Sequence, residues 1–564
     1  MITNLKNSGH LVKLILYIVI IVSIYVISSF IYFRIDLTQE KRYTLSEPTK
    51  QILQKLPGKI FIKVYLDGEL PGGFTRLSRT VKETLDEFRI IAGDHIQYSF
   101  IDPYAGNDEK SIQQQIQELY KQGLEPVSVK IKDKKGNMAE KNIIPGAIAS
   151  YNNIDFPINL LSNNPGLSAE ENLTHSEQSL EYSLINAIHC LAIRDNRKVA
   201  FIEGHGEYDQ YQVADITREL ASYFQVDRGE IHGNQSLLLP YSCIIIANPT
   251  KPWNEEDKFA VDQYIMQGGK VLWLIDPVSV ARDSLVYGKT FANIAQLNLD
   301  DQLFRYGIRL NPVLVQDIQC NIIPVNTATS NTRPQFSPAP WLYLPLLAGN
   351  QNSAISRNIN LVKSEYTSYI DTLNIENIHF TSLLTSSARA KIKTVPYIIS
   401  MQEIKQQPAL ESFDKQFLPV AVLAEGTFTS VFKNRMLDDL QIVGSKKVIE
   451  TSVYNKMIVI ADADIIRNDV RYTNSQIYLG RIGRDKYTSQ IFGNKDFILN
   501  AIQYLTDDNG LISIRNKEVK MRLLNKIKLT EELRFWQAIN IILPLVMVAI
   551  LALIFFYIQK KRFI

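Results

Sequence analysis

Long apolar segments lie at the two ends of the chain, while the sequence between them alternates in shorter hydrophobic and polar stretches. Leu14–Phe33 and Phe535–Ile558 contain no charged residue, and neither has the polar stripe of a surface helix. About 20 apolar residues are enough to cross a hydrocarbon core of about 30 Å. Each segment is therefore predicted to be a transmembrane helix.

Basic residues flank the outer end of each apolar segment: Lys6 and Lys13 precede the first, and 560–562 follow the second. Basic flanks tend to stay on the cytoplasmic side, so both termini are predicted to be cytoplasmic and the large central part to lie on the other face. A cleaved signal peptide is the alternative for the N-terminus. It would have an apolar region of about 7–15 residues and a small-residue cleavage site, which Phe30–Arg34 does not offer.

The first part of the central region has a β-α-β-α-β-β order, which is typical of a thioredoxin-like sheet. The predicted elements are strands at 60–66 and 96–101, helices at 74–92 and 111–122, and a hairpin that pairs 127–131 with 143–151. No C-x-x-C pair occurs in the chain, so this domain is predicted to be a scaffold without redox activity. A long helix at 168–193 follows, and Ser168 and Glu171 at its start match a capping box.

Strands then alternate with helices, a pattern that indicates a parallel sheet. Strands are predicted at 199–203, 243–247 and 271–275, and helices at 209–223 and 255–267. The sequence from 311 to about 416 is less regular and includes a proline-rich passage. Further strands are predicted at 418–424 and 457–461, and a helix at 497–505.

The loop Gly204-His205-Gly206-Glu207 is the strongest candidate for a binding site, because ligands of parallel sheets bind beyond the carboxyl ends of the strands. Its glycines allow close approach of a ligand, and His205 and Glu207 are suited to acid–base chemistry. A tight structural turn, in which the glycines adopt positive φ, is the favoured alternative, since no second histidine or nucleophile is near in sequence. Glu203 and Glu207 around His205 leave a metal site as a weaker alternative.

Other enzymatic signals fail at a required residue. A nucleophile elbow needs Ser or Cys after a strand, and the corresponding turn here is Asp276-Pro277. Gly288-Lys289-Thr290 resembles the end of a P-loop, but Asp283 stands where its first glycine should be. The spacing of the three cysteines fits neither a disulfide framework nor a metal site. The net charge is only +3, and the sequence shows no cluster of basic residues suited to binding nucleic acid. No catalytic residue, cofactor or metal is predicted.

Several short motifs occur in order between the two apolar ends. They are Arg34–Thr38, Arg42–Ser46, Ile101–Pro103, Leu180–Tyr182, Gly204–Glu207, Ala424–Ser430, Phe432–Arg435, Val459–Asp464 and Gly493–Phe497. With these motifs the chain resembles the GldG family, the membrane-anchored accessory components of gliding-motility-associated ABC transporters of Bacteroidetes. The resemblance covers nearly the whole chain. It implies a substrate-binding-like role and two partners, a separate ABC permease and a separate ABC ATPase.

The resemblance also implies that residues 196–310 form a degenerate class I glutamine-amidotransferase-like domain. The expected fold is an α/β periplasmic body tethered to the inner membrane by one transmembrane helix at each end. The expected ranges are a cytoplasmic N-terminus (1–10), a transmembrane helix (11–33), a thioredoxin-like domain with its linking helix (34–195), the amidotransferase-like domain (196–310), a further α/β region (311–516), a basic stalk (517–534), a transmembrane helix (535–558) and a cytoplasmic tail (559–564).

The second apolar segment contains Gln537, Asn540 and Pro544, which could supply interhelical hydrogen bonds and a kink. These three residues are predicted to contact the permease. The expected function is a non-catalytic accessory subunit of an ABC transporter. The alternatives are an envelope scaffold that binds only protein partners in the periplasm, and a periplasmic hydrolase that uses His205 and Glu207.

Overall fold

The structure is a computed structural model that describes residues 16–20, 22–23, 44–105, 109–124, 126–132, 138–161, 167–192, 197–326, 335–405, 408–438, 441–443, 447–473, 476–507, 510–516 and 532–562. Tyr43–Lys517 forms one compact unit, and the two ends of the chain, Met1–Arg42 and Glu518–Ile564, form another. The central unit is a mixed α/β body, as predicted. The basic stalk predicted at 517–534 lies almost entirely outside the described residues.

The N-terminal part of the central unit is a four-stranded sheet of order β2-β1-β5-β6 with helices packed on it. Its elements are α1 (Glu47–Gln54), β1 (Ile60–Val64), α2 (Gly72–Ala92), β2 (Ile96–Phe100), α3 (Glu109–Lys121), β3 (Val127–Lys132), β4 (Met138–Ile143), β5 (Gly146–Tyr151), β6 (Ile154–Asn159) and α4 (Ala169–Ala192). Apolar residues of α1, α2 and α4 form a common core with β1 and β5. The predicted capping box of α4 is confirmed, because Ser168 and Glu171 bond each other's side chains and backbone N–H groups.

The predicted pairing of 127–131 with 143–151 is wrong. β3 pairs with β4 instead, while β5 pairs with β1 and β6. Pro145 separates β4 from β5, and a proline has no N–H with which to continue a ladder. The chain therefore leaves the hairpin at Pro145 and joins the first sheet, where the carbonyl of Gly146 accepts the N–H of Tyr65 at 2.8 Å.

A second, larger sheet has the order β15-β16-β19-β22-β23-β10-β9-β7-β8, with β17 paired to β16. Its first elements are β7 (Lys198–Glu203), α5 (Ala214–Leu220), β8 (Gln225–Glu230), β9 (Cys243–Ala247), α6 (Glu255–Met266) and β10 (Lys270–Leu274). Strands β8, β7, β9, β10 and β23 are parallel to one another, whereas β22 pairs with β23 in the antiparallel sense. The parallel arrangement of β7, β9 and β10 is the one that the sequence pattern predicts. The predicted helix at 209–223 is shorter, because the Asp209 side chain accepts the N–H groups of Tyr211 and Gln212 and holds a turn there.

Both faces of this sheet are covered. In β9, Cys243, Ile245 and Ala247 contribute to the core under α5 and α8, while Ile244 and Ile246 contribute to the core under α6. Such strands read as continuous apolar runs because each successive side chain meets a buried face. The predicted parallel domain at 196–310 and the region after it share this single sheet, since β10 is bonded to β23.

The region after β10 is more regular than the sequence suggests. It contains β11 (Val278–Val280), β12 (Lys289–Ile294), α7 (Asp300–Arg305), β13 (Ile308–Asn311), β14 (Val313–Asp317), β15 (Cys320–Asn326), β16 (Phe336–Gly349), β17 (Val362–Lys363), β18 (Tyr369–Thr372), β19 (Ile378–Thr385), β20 (Ala390–Thr394), β21 (Tyr397–Ser400), β22 (Pro419–Gly426), β23 (Asn455–Ile460), β24 (Val470–Thr473), β25 (Gln476–Leu479) and α8 (Asn494–Thr506). The proline-rich passage lies largely in β16. Its prolines are tolerated because, among the described strands, this part of β16 pairs only with β15, while pairing with β17 and β19 is confined to 346–349.

The unit formed by the two chain ends contains α9 (Leu533–Arg562). Within this helix, Phe535–Ile558 is long and apolar enough to span a membrane, and its apolar stretch is not buried inside the protein. It is the only such helix in the part of the chain that the structure describes. The other predicted span, 11–33, lies mostly outside the described residues; its described positions, 16–20 and 22–23, are helical.

Candidate functional site

Four loops meet at one edge of the large sheet because they follow parallel strands. Gly204–Glu207 follows β7, Asn248-Pro249 follows β9, Asp276-Pro277 follows β10, and Asp462–Asp464 comes shortly after β23. The carboxyl ends of parallel strands are the usual place for ligands in α/β proteins. This edge is therefore the first place to look for a functional site.

The backbone of the Gly204–Glu207 loop requires its two glycines. Gly204 has a φ of 117° and Gly206 a φ of 79°, values that residues with a side chain rarely adopt. A Cβ on Gly206 would lie 2.1 Å from the hydroxyl of Thr250. The carbonyl of His205 accepts the N–H groups of Thr250 and Lys251 at 2.9 and 2.8 Å, which fixes the loop to the segment after β9.

The His205 side chain lies in a closed group of residues, the His205 cluster, formed with Glu207, Trp253 and Asp257. Nε2 of His205 is 3.2 Å from Oδ2 of Asp257. Nδ1 is 3.4 Å from Oε1 of Glu207, an ion-pair contact without hydrogen-bond geometry. The imidazole stacks on Trp253 with 4.1 Å between ring centroids. His205 is only 5% exposed, so the cluster is part of the protein interior.

Electrostatics keep this histidine charged. Burial alone would lower the pKa of His205, but its contact with Asp257 and the negative charges of Asp257 and Glu207 outweigh burial and raise the pKa to about 9. Burial likewise opposes ionisation of Asp257, but the bond to His205 and the N–H of Gly233, at 2.6 Å, lower its pKa. A histidine that stays protonated at neutral pH has no free lone pair with which to act as a general base.

The predicted binding role of Gly204, His205, Gly206 and Glu207 stays a prediction. The structure turns the His205 and Glu207 side chains inward, where they join β7, the segment after β9 and the start of α6. A ligand at this loop would meet backbone rather than those two side chains. Glu203, the other proposed metal ligand, pairs with Arg228 at 2.6 Å. Within the described residues, no group of three or more His, Cys, Asp or Glu side chains is arranged to hold a metal ion.

Tyr208, directly after the loop, connects it to a second polar group. Its hydroxyl donates to Oδ1 of Asp464 at 2.9 Å. Asp464 also pairs with Arg282 through both guanidinium nitrogens and with Nε of Arg467 at 3.1 Å. Glu365 lies 3.2 Å from Arg282, 3.5 Å from Arg467 and 3.0 Å from Lys363. We call Arg282, Glu365, Asp462, Asp464 and Arg467 the edge cluster.

Two carboxyl groups beside these ion pairs, Asp276 and the cluster member Asp462, bond backbone N–H groups. Asp276 accepts the N–H of Ala463 at 2.6 Å, and Asp462 accepts the N–H groups of Glu365 and Asp464, each at 2.8 Å. Burial raises the pKa of Asp276, with Arg282 opposing it, and burial and the nearby Asp276 raise the pKa of Asp462. By contrast, Lys363 and the two arginines outweigh burial at Glu365 and lower its pKa to about 2. These carboxyl groups hold the turns after β10 and β23 together.

A cavity of about 700 Å³ opens above the edge cluster. Arg282, Glu365 and Arg467 contribute to its polar wall, and Trp341 and Tyr366 to its aromatic wall. Its volume is in the range of small-molecule sites. Acidic and basic residues line it in equal number, so it carries no strong preference for one sign of charge.

Neither Asp276 nor Cys243 supplies the missing nucleophile. Asp276-Pro277 lies where the sequence places the nucleophile turn, and Asp276 is bonded to backbone as described above. Cys243 is fully buried inside β9, and burial raises the pKa of its thiol to about 12. A buried thiol that stays protonated is a poor nucleophile.

The predicted permease contacts lie on α9. Gln537 and Asn540 are exposed, and Pro544 is inside the helix. Their position in the apolar segment matches the prediction, while their contact with a permease stays a prediction.

The edge cluster is what sequence reasoning missed. Its members lie far apart along the chain, and the bonded pair Arg282 and Asp464 is separated by 182 residues. The available signal was the position of Asp276 and of Asp462 and Asp464 after two apolar strands. Neither pattern revealed the partner arginines or Glu365.

A family model described as "ABC-type uncharacterized transport system" matches residues 196–501, which is more than half of the chain. A second model, for a domain of unknown function, matches residues 39–150. No curated protein matches the chain. A solved structure described as "mmIFT52 N-terminal domain" aligns with 55% of this chain and 97% of its own at 12% identity, with a TM-score of 0.32. So low a score supports no argument.

Proposed function

The chain belongs to the family described as "ABC-type uncharacterized transport system", and on this premise we propose that it is a non-catalytic, membrane-anchored accessory subunit of an ABC transporter. Family membership supports the accessory role. The observation that supports membrane anchoring is helix α9, because the side chains of its apolar segment Phe535–Ile558 are not buried against the rest of the protein. An exposed apolar helix of this length is stable when lipid or another membrane protein surrounds it.

The finer features of the proposal rest on the sequence. Charge flanks at both ends support two membrane spans with cytoplasmic termini, so that the α/β body lies in the periplasm. The order of strands and helices supports a thioredoxin-like N-terminal domain, and the resemblance to the GldG family supports a degenerate amidotransferase-like domain after it. Resemblance to the GldG family supports a role in gliding motility in Bacteroidetes, with a separate ABC permease and ABC ATPase as partners.

The chemistry at the sheet edge supports a non-enzymatic role. The alternative function, a hydrolase, would need His205 to accept a proton, but the pKa of about 9 keeps the His205 side chain charged at neutral pH. It would also need a nucleophile or an activated water near His205, whose side chain is buried against Trp253. The edge cluster pairs its arginines with its own carboxylates and presents no nucleophilic side chain.

Affinity purification of the tagged full chain from native membranes tests the proposal. We expect an ABC ATPase and a multi-span permease to co-purify in fixed ratio. A double change of Gln537→Leu and Asn540→Leu is expected to reduce recovery of the permease, because it removes the polar side chains available to a neighbouring helix. Leu543→Ile, on the same helix, is the matched control and should leave recovery unchanged.

Two outcomes would contradict the proposal. Recovery of envelope proteins without an ATPase or a permease would favour the scaffold alternative. Turnover of a hydrolysable substrate that His205→Ala abolishes would favour the hydrolase. Full recovery of the permease with the double variant would leave the accessory role standing and remove the assigned contact.

A further inference from the structure

A polar cleft of about 270 Å³ separates the N-terminal part of the central unit from the large sheet. One wall is formed by α4 and β6, and the other by α8, the end of α5 and the segment around Asn358. Its lining shares no residue with the His205 cluster or the edge cluster. We call it the α4–α8 cleft.

The cleft wall of α4 follows the helical repeat. Ser179, Ser183 and Asn186 lie at spacings of three to four residues and face the cleft, while Leu180, Leu184 and Ile188 face the core. Helix α4 therefore has one side for packing and another that presents hydroxyl and amide groups. Asn500 and Gln503 of α8 add amides from the opposite wall.

Several of these polar groups have no partner within the described residues. They are the side chains of Asn159 and Ser183, the amide nitrogen of Gln503, and Nδ1 of His175, which is shielded from solvent. Across the cleft, the Tyr182 hydroxyl donates to Oε1 of Gln503 at 2.7 Å, and the Tyr223 hydroxyl interacts with the side chain of Asn186. The remaining amides and hydroxyls can both donate and accept hydrogen bonds.

The charges of the cleft are matched. Glu219 pairs with Lys495 at 3.1 Å, and Arg515 donates to the carbonyl of Arg357 at 3.0 Å while its guanidinium lies over the ring of Tyr182. Asp496 also lines the cleft. Phosphate or carboxylate ligands would meet two carboxylates and one engaged guanidinium, so the cleft is poorly suited to anions.

Aromatic rings supply an apolar surface beside the polar groups. Phe156 of β6 and Tyr223 are in edge-to-face contact, with ring centroids 5.5 Å apart. A sugar ring combines hydroxyl groups, which suit amides and serines, with C–H faces, which pack on aromatic rings. The volume is near the lower end of the range for ligand sites, about 300–1,000 Å³, and fits one or two sugar rings better than a long chain.

We propose that the α4–α8 cleft binds a neutral saccharide through the side chains of Asn159, Ser183 and Gln503, with Tyr223 beneath the sugar ring. This goes beyond the accessory role and does not depend on it, because binding is a property of the chain alone. A hydrated contact between two parts of the fold is the competing explanation, and it predicts no ligand.

The test is saturation-transfer NMR and calorimetry on the purified full chain in detergent. The probes are glucose, galactose, mannose, N-acetylglucosamine, maltose and cellobiose. We expect at least one to bind with one-to-one stoichiometry. Ser183→Leu, which places an apolar side chain in the cleft, should weaken its affinity at least tenfold. Asn159→Ala, at an exposed position that the fold tolerates, should weaken it about threefold. Ser279→Leu, an exposed serine on β11, is the matched control and should bind as the unaltered chain does.

Failure of all six sugars to bind would overturn the proposal. Binding that both cleft variants leave unchanged would overturn the location. Preference for glucose 6-phosphate or glucuronate over the neutral sugars would overturn the ligand class. Co-purification of the permease is measured separately, so the accessory role and the saccharide site can each fail without the other.

Discussion

The imidazole of His205 lies parallel to the indole of Trp253, with 11° between the ring planes. Asp257 and Glu207 approach the two ring nitrogens. A charged imidazole over an aromatic face is favourable when water is excluded. The stacking and both ion contacts are therefore expected to stabilise the protein most when His205 is protonated.

A pH-dependent stability follows. The pKa of His205 rises from 6.5 to about 9 on folding, so its contribution is fully present below about pH 6.5 and is lost as the pH rises through about 9. A shift of this size corresponds to about 3 kcal/mol. Chemical denaturation from pH 6 to 10 should show that His205→Gln removes this dependence.

The control for that prediction is His232→Gln, because the His232 side chain is 73% exposed beside Glu230. It should retain the pH profile of the unaltered chain. A flat profile in the unaltered chain between pH 6.5 and 9 would show that His205 is not charged in the folded state.

Alanine substitutions at Gly206 and Gly288 allow the cost of backbone strain to be distinguished from the cost of steric overlap. Both have positive φ, but a Cβ on Gly206 would overlap Thr250, whereas a Cβ on Gly288 would meet nothing within 4 Å. Gly288→Ala should cost about 1–2 kcal/mol from strain alone. Gly206→Ala should cost clearly more, because Thr250 must move as well. Equal losses in urea denaturation would argue against the close packing of this loop.

The Arg282–Asp464 pair should be energetically coupled, since it joins the β11–β12 region to the turn after β23. A double-mutant cycle with Arg282→Met and Asp464→Asn should give a coupling of about 1–3 kcal/mol. The exposed pair of Glu47 and Lys50 is the control, with an expected coupling below about 0.5 kcal/mol. Indistinguishable couplings would mean that solvent screens the edge cluster.

A charge in the middle of the apolar segment of α9 should impair membrane insertion. Met547→Lys places a cation near the centre of Phe535–Ile558, at a cost of about 2.5–3.5 kcal/mol. Trp536→Lys, near the end of the segment, should cost far less because lysine can reach the interface. The measurement is the fraction that resists alkaline carbonate extraction. Equal retention of both variants would contradict a membrane span here.

Sequence patterns located the parallel strands well because burial on both faces leaves a strong apolar signal. β7, β9 and β10 begin and end within about one residue of their predicted bounds. Strand β8 was missed, since Asp227, Arg228 and Glu230 make it look like a loop, although it pairs with β7 along its whole length. The Gly204–Glu207 turn was predictable from its glycines. The edge cluster was not, because pairing of Arg282 and Glu365 with residues near β23 depends on tertiary structure.

The two outermost strands of the large sheet, β15 and β8, disfavour the addition of a further strand. On β15, Pro324 has no N–H and the N–H of Ile322 is taken by the side chain of Asn321, so a further strand would find few donors. On β8, charged side chains oppose the approach of an identical strand. In a membrane-anchored protein, as proposed above, such edges disfavour the pairing of neighbouring copies through their sheets even at high local concentration.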